Sequence, residues 1–312
     1  MERAQPRALG QRMVLALCMV VSGYAWTAHV EAQAYIPFTD YLPPLTVNAE
    51  EYESGYNHFC RDDTGHINTY QCVDKTIREM TRRYDRLHSS CDHRGIFALA
   101  YLLTTEEYQR ASLEPGFFRD PEFINHEDVV FAQFYFAAYD AWESGRMADV
   151  PPAWRLAFAA ANSRNSATSV GDALLGVSAH INRDLPIVLA TIGLVDPETG
   201  ESRKPDHDKV NAFLARVALD PAMQASWDPK FVTGIPGTPL TSVTAALIQT
   251  WREAAWRWAE LLISARTPEE EANVIAQIEW YAYQQGLALL ASNHYLLLQS
   301  SASRDAFCMA HR

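Results

Sequence analysis

One long apolar segment constrains the fold of this chain more than any other feature. Residues 170–194 are nearly all apolar, so this segment is expected to form a helix in the centre of the protein. The polar run His180-Ile181-Asn182-Arg183-Asp184 interrupts it, and Pro186 follows directly. Because Pro186 cannot donate a hydrogen bond to the carbonyl group one turn earlier, the helix should kink here.

The polar run is energetically costly in such a position. Each buried polar group without a hydrogen-bond partner costs about 1–3 kcal/mol, so neighbouring elements must supply partners. His180 and Asp184 are four residues apart and therefore share one face of the helix. The sequence thus places any chemistry of this chain around His180, Asn182 and Asp184, the predicted catalytic residues.

Helical spacing dominates the rest of the chain. Apolar residues recur at steps of three and four from Val73 onward, and the run Thr267-Pro268-Glu269-Glu270 is a strong helix start. The sequence has no convincing alternating strand and no repeat. It predicts an all-α, multi-helix bundle of seven to eight helices with one core and a disulfide-stapled N-terminal segment.

The N-terminus has the layout of a secretory signal peptide. A lead with three arginines precedes an apolar run, and Ala32-Gln33-Ala34 offers a cleavage site. The apolar run is shorter than the ~20 residues of a membrane span, so we expect no stable membrane insertion after cleavage. We predict a signal peptide at 1–34, an irregular cysteine-containing segment with the first helix at 35–92, and a helical domain at 93–312. The protein would be secreted or periplasmic.

The acidic balance of the chain excludes one class of partner. Its formal net charge is −12, and nucleic acids are themselves negative, so we predict no nucleic-acid binding. A small molecule is the expected partner, and the sequence does not indicate the oligomeric state.

Four cysteines remain after the predicted leader. An even count in an exported chain indicates two disulfides, and three pairings are open. We favour Cys60–Cys72, which closes a short loop, and Cys91–Cys308, which would attach the C-terminal tail to the early helices.

One hypothesis for the polar run is a metal site. An imidazole and a carboxylate one turn apart can bind a divalent cation such as zinc. Asp128, Asp206 and His207 are the candidates for completing the set of ligands with His180 and Asp184. A metal-bound water would then be the nucleophile of a metal-dependent hydrolase.

Three alternatives stay open. His180 could act without a metal as a general base oriented by a carboxylate. The chain could instead be a non-catalytic protein that binds a small molecule; its predicted pocket residues are Tyr135, Trp154, Arg252 and Trp256. The run could also be a purely structural polar network, with Asp184 paired to Arg183 or Arg252 and His180 bound to a backbone carbonyl.

The middle of the chain also resembles a known family. The features that carry the resemblance are Phe131-Ala132-Gln133-Phe134-Tyr135, Pro151-Pro152-Ala153-Trp154, Leu174-Leu175-Gly176-Val177-Ser178-Ala179-His180-Ile181-Asn182-Arg183-Asp184-Leu185, and Arg252-Glu253-Ala254-Ala255-Trp256. They resemble the bacterial domain-of-unknown-function family numbered 5995, whose hallmark is L-L-G-M-N-A-H-I-N-x-D-L. The pair Val177-Ser178 stands where that hallmark has Met-Asn. The resemblance covers roughly residues 93–262; it implies an all-helical domain and supplies no reaction.

Overall fold

A computed structural model of the chain describes residues 58–62, 64–163, 167–217, 227, 239–293 and 301–312. These residues form α-helices and no β-strand, with two isolated bridges at Arg61–Ile67 and Val195–Ser202. The helices are α1 (Thr69–Ser89), α2 (Arg94–Ser112), α3 (Pro121–Glu143), α4 (Pro152–Asn162), α5 (Ser169–Ala179), α6 (Leu185–Ile192), α7 (Lys204–Lys209), α8 (Asn211–Val217), α9 (Pro239–Ser264), α10 (Pro268–Asn293) and α11 (Ser301–His311). A single π-helical turn, His180–Asp184, joins α5 to α6.

The all-α prediction is confirmed for these residues. There are more helices than the seven or eight predicted. The predicted apolar helix is divided into α5, the π-helical turn and α6, residues 204–217 form the two short helices α7 and α8, and the C-terminal helix α11 was not predicted. The predicted signal peptide and most of the irregular N-terminal segment lie outside the described residues and stay predictions.

Local capping interactions fix where several helices begin. The side chains of Asn68, Asp120 and Thr168 accept hydrogen bonds from backbone N–H groups in the first turns of α1, α3 and α5. The predicted start of α10 also forms, since the Glu270 N–H donates to the hydroxyl of Thr267 at 3.1 Å. These side chains satisfy backbone groups that a helix cannot pair internally.

The apolar segment lies in the centre of the fold, as predicted. Helix α5 packs against α2, α4 and α10, and helix α6 packs against α3 and α9. Leu185, Val188, Leu189 and Ala190 of α6 are fully buried. Because helices surround this segment, its polar turn faces protein groups on several sides. No helix in the described part of the chain is long and apolar enough to cross a membrane.

Both favoured disulfides are present. Cys60 pairs with Cys72 and Cys91 pairs with Cys308, with Cα–Cα distances of 5.0 and 5.9 Å. The second bond attaches α11 to the connection between α1 and α2. Beside it, the buried guanidinium of Arg304 donates to Asp172 on α5 at 2.8 Å. The C-terminal helix is therefore held by a covalent bond and by a buried ion pair.

The two disulfides should differ in their contribution to stability. The bond Cys91–Cys308 spans 217 residues and Cys60–Cys72 spans 12. The longer loop lowers the conformational entropy of the unfolded chain more, by a free energy of about 2.5 kcal/mol in the chain-entropy model. We therefore expect the double variant Cys91→Ser/Cys308→Ser to lose more unfolding free energy in urea than Cys60→Ser/Cys72→Ser. Equal losses would contradict this.

A close helix contact fixes the position of α5 on α2. A Cβ atom added to Gly176 would lie 2.4 Å from the Cγ atom of Phe97. We expect Gly176→Ala to lower the unfolding free energy by about 1–3 kcal/mol through overpacking. The matched control is Gly286→Ala, whose Cβ would meet only the flexible end of Leu156. Thermal unfolding of the two variants measures the difference, and similar melting temperatures would refute the expectation.

Candidate functional site

The polar turn is built on an unusual backbone. The N–H of Leu185 donates to the carbonyl of His180, five residues earlier, so the helix widens by one residue. Pro186 follows within the first turn of α6, where its missing N–H does not interrupt the helix. Single π-helical turns of this kind are frequent at functional sites. The irregularity that the sequence predicts at Pro186 is a wider turn just before the proline.

Asp184 is the centre of the hydrogen-bond network in this turn. Its side chain is fully buried. One carboxylate oxygen, Oδ2, accepts from the His180 ring nitrogen Nδ1 at 2.8 Å and from the indole N–H of Trp154 at 2.8 Å. The other oxygen accepts from the Arg183 guanidinium at 3.0 Å. This carboxylate therefore has the donors that a buried charge requires.

Arg183 connects the turn to the outer helices. Its Nε atom donates to Glu279 on α10 at 2.7 Å while its Nη1 atom binds Asp184. The pairing of Asp184 with Arg183 was one of the two options of the structural alternative. The other expectation of that alternative is not met, because His180 binds Asp184 and not a backbone carbonyl.

Aromatic rings enclose the His180 imidazole. The Phe131 ring stacks on it with 3.4 Å between ring centroids and an interplanar angle of 2°. Tyr101 approaches with a centroid distance of 4.5 Å and Trp154 with 5.7 Å. Phe97 and Tyr135 complete this aromatic cage at 6.0 and 6.3 Å. The imidazole is only 3% exposed, so it is shielded from water.

The protonation state of His180 follows from this environment. Burial lowers the pKa of the imidazole below its usual value of 6.5, and the hydrogen bond and charge of Asp184 oppose the shift only in part. The ring is therefore neutral at pH 7. Because a carboxylate can only accept, the proton sits on Nδ1. Nε2 then carries a lone pair, and it is buried with no hydrogen-bond partner.

Other buried polar atoms near the cage are also without partners. They are the hydroxyls of Tyr101 and Tyr135, the Oδ2 atom of Asp128 and the Oδ1 atom of Asn182. Asn182 uses its amide nitrogen to donate to Ser178 at 3.0 Å. Because no described protein group pairs with these atoms, they are available for hydrogen bonds to a polar ligand group.

Asp128 is a buried acid. Its Oδ1 atom accepts a 3.3 Å hydrogen bond from the hydroxyl of Thr105. Burial raises the pKa of this carboxyl well above its usual range, and the neighbouring charge of Glu127 acts in the same direction. Both effects favour the protonated form of Asp128, which can donate a hydrogen bond.

A second buried cluster surrounds His207. The Arg252 guanidinium donates to the His207 carbonyl at 2.7 Å and lies 3.1 Å from the ring nitrogen Nδ1. Glu127 lies 3.8 Å from the same nitrogen, and the Trp256 ring is 5.1 Å from the imidazole. Asp206 accepts from the backbone N–H groups of Arg119 and Asp120 at 2.8–3.0 Å. Each of these two predicted ligands is thus engaged within the protein.

The predicted metal ligands do not form one site. His180 and Asp184 bind each other, Asp128 binds Thr105, and a guanidinium faces His207 where a cation would have to bind. Over the described ranges, no three His, Cys, Asp or Glu side chains are arranged to hold a metal ion. The predicted pocket residues are divided in the same way. Tyr135 and Trp154 belong to the aromatic cage, whereas Arg252 and Trp256 belong to the His207 cluster.

Tyr101, Phe97 and Thr105 were not recognised in the sequence as site residues. They lie four residues apart on α2, and this spacing is typical of the buried face of a helix. The only available signal was the presence of hydroxyl groups on that face, at Tyr101 and Thr105.

Comparison with known proteins gives one match. A family model described as a family of unknown function (DUF5995) matches residues 73–292. No curated protein and no solved structure matches the chain. The matched range contains the aromatic cage, the π-helical turn and the His207 cluster, and α11 lies beyond it.

The protonation of His180 can be measured by NMR of histidine-labelled protein. We expect a neutral ring with its proton on Nδ1 at pH 7 and a titration midpoint below 6.5. Asp184→Asn should lower the midpoint further, because it removes the charge that favours the imidazolium. The signals of exposed His58 should be the same in both proteins. A midpoint above 6.5 in the wild type would contradict the burial argument.

Proposed function

The chain belongs to the DUF5995 family, whose function is unknown, and we propose that it is an acid–base enzyme in which His180 is the general base. The supporting observation is the imidazole itself. Asp184 fixes one nitrogen, and the other, Nε2, is buried among aromatic rings with no partner. This is the arrangement by which a carboxylate orients a histidine so that the free nitrogen accepts a proton.

The hydrogen bonds of Asp184 differ from those of the other polar groups near the imidazole, and this difference favours catalysis over a purely structural role. Around Asp184, each carboxylate oxygen receives a hydrogen bond from His180, Trp154 or Arg183. By contrast, the hydroxyl of Tyr101, whose ring contacts the imidazole, and the carboxyl of Asp128 each have an unpaired oxygen atom. A purely structural network would pair these groups as well, since each unpaired group costs about 1–3 kcal/mol.

The chemistry of the His180–Asp184 pair follows from charge. When Nε2 takes a proton from a substrate, the ring becomes an imidazolium beside the carboxylate of Asp184. The indole of Trp154 and the guanidinium of Arg183 hold that carboxylate in place by hydrogen bonds. The positive charge is therefore compensated where it forms, with no reorganisation of water. The aromatic cage supplies apolar contacts for a small molecule.

We also propose that the protein works outside the cytoplasm. The predicted signal peptide at 1–34 and the two disulfides support this, because disulfides persist in oxidising compartments.

A general proton-transfer probe tests the role of His180. The small molecule 5-nitrobenzisoxazole loses a carbon-bound proton to a base and opens to a coloured phenolate. We expect wild-type protein at pH 7 to accelerate this reaction and His180→Gln to lose about 10²–10⁴-fold, the usual contribution of a general base. Asp184→Asn should also be slowed, because the imidazole loses its orienting carboxylate.

The matched control is His58→Gln, which changes an exposed histidine and should react like the wild type. Circular dichroism confirms that each variant is folded. Wild-type protein no faster than folded His180→Gln would refute the proposal.

A further inference from the structure

We infer, resting on the proposed function, that the substrate is a neutral carbonyl compound. His180 would remove a proton from the carbon next to the carbonyl group, while Tyr101 and Asp128 donate hydrogen bonds to the carbonyl oxygen.

The first support is the placement of these groups on three elements that meet. Tyr101 and Thr105 are one turn apart on α2, and Asp128 and Phe131 are one turn apart on α3. The Tyr101 and Phe131 rings contact each other, with 5.9 Å between centroids, and both contact the His180 ring. The hydrogen bond from Thr105 to Asp128 also joins α2 to α3, one helical turn away from the contact between Tyr101 and Phe131.

The second support is that His180, Tyr101 and Asp128 each have a polar atom without a hydrogen-bond partner. The Nε2 atom of His180 can only accept, because its ring proton is committed to Asp184. The hydroxyl of Tyr101 and the Oδ2 atom of Asp128 are buried without partners. A carbonyl compound with an adjacent C–H group uses all three, since the carbonyl oxygen accepts two hydrogen bonds and the carbon gives up one proton.

The third support is the charge of the lining. Burial raises the pKa of Tyr101 and of Asp128, which favours the neutral, protonated forms that can donate hydrogen bonds. Arg183, the cation in the hydrogen-bond network of the turn, already binds Asp184 and Glu279. A cage of aromatic rings with neutral donors favours an uncharged substrate over a carboxylate or phosphate.

The reaction step balances without any further reagent. The C–H bond breaks and its proton goes to Nε2 of His180. The electron pair of that bond forms a carbon–carbon double bond, and the carbonyl π pair moves to oxygen. The resulting enolate oxygen accepts from Tyr101 and Asp128, a pairing of a tyrosine with a protonated aspartate that stabilises such oxyanions. Return of the proton to the same or to a conjugated carbon gives exchange or isomerisation.

The test uses cyclohexanone in D2O, followed by proton NMR as deuterium replaces hydrogen next to the carbonyl group. We expect wild-type protein to accelerate exchange and His180→Gln to abolish the acceleration. Tyr101→Phe keeps the ring and removes one donor, and should slow exchange about 10²–10³-fold. Asp128→Asn keeps a donor and should retain more activity than Asp128→Ala. The control Tyr281→Phe removes a hydroxyl from a ring on α10 that packs against Trp258 of α9 and has no contact with the cage rings, and it should match the wild type.

Two outcomes would overturn the inference: no exchange above the level of His180→Gln, or unchanged exchange in folded Tyr101→Phe. The 5-nitrobenzisoxazole reaction separates this failure from failure of the proposed function. If the protein opens 5-nitrobenzisoxazole through His180 but does not exchange cyclohexanone, the general base is supported and the carbonyl substrate is refuted. If the protein is inactive in both assays, both the proposed function and the carbonyl substrate are refuted.

Discussion

A carboxylate enters an apolar core only with hydrogen-bond donors around it, and Asp184 meets this condition through three residues. Desolvating an ion costs several kcal/mol unless it is paired. The donors come from the turn itself, through His180 and Arg183, and from α4, through Trp154. Arg183 also reaches Glu279 on α10. The need to satisfy one buried charge thus determines how α4, α10 and the π-helical turn are placed relative to one another.

The same network prepares the histidine for proton transfer. The hydrogen bond to the Asp184 carboxylate fixes the His180 tautomer and leaves Nε2 of the enclosed ring unprotonated. The cage leaves polar atoms of Tyr101 and Asp128 unpaired, which lowers stability in the absence of a ligand. Functional sites commonly carry such a cost, because groups that must bind a substrate cannot also be satisfied by the protein.

Much of the fold could be predicted from the sequence, and about half of the candidate site. Helical spacing identified the helices, and loop length suggested the disulfide pairing. The cost of polar residues in an apolar segment pointed to His180 and Asp184. Residues on other helices were harder to place. Tyr101 looks like a packing residue at helical spacing, and only its contact with His180 distinguishes it.

The metal hypothesis relied on pairs of His and Asp near helix starts, which were expected to be metal ligands. Asp206 and His207 have the chemistry of ligands, but sequence does not reveal that backbone N–H groups and Arg252 already engage them.

The two buried clusters are nevertheless connected through neighbouring residues of α3. Glu127 faces His207 in one cluster, and Asp128 binds Thr105 beside the aromatic cage. The charge of Glu127 adds to burial in raising the pKa of Asp128, because a second negative charge close by is unfavourable. The His207 cluster therefore helps to keep Asp128 protonated. The second cluster thus contributes to the proposed chemistry without contacting the substrate, because it favours the protonated Asp128 that donates to the carbonyl oxygen.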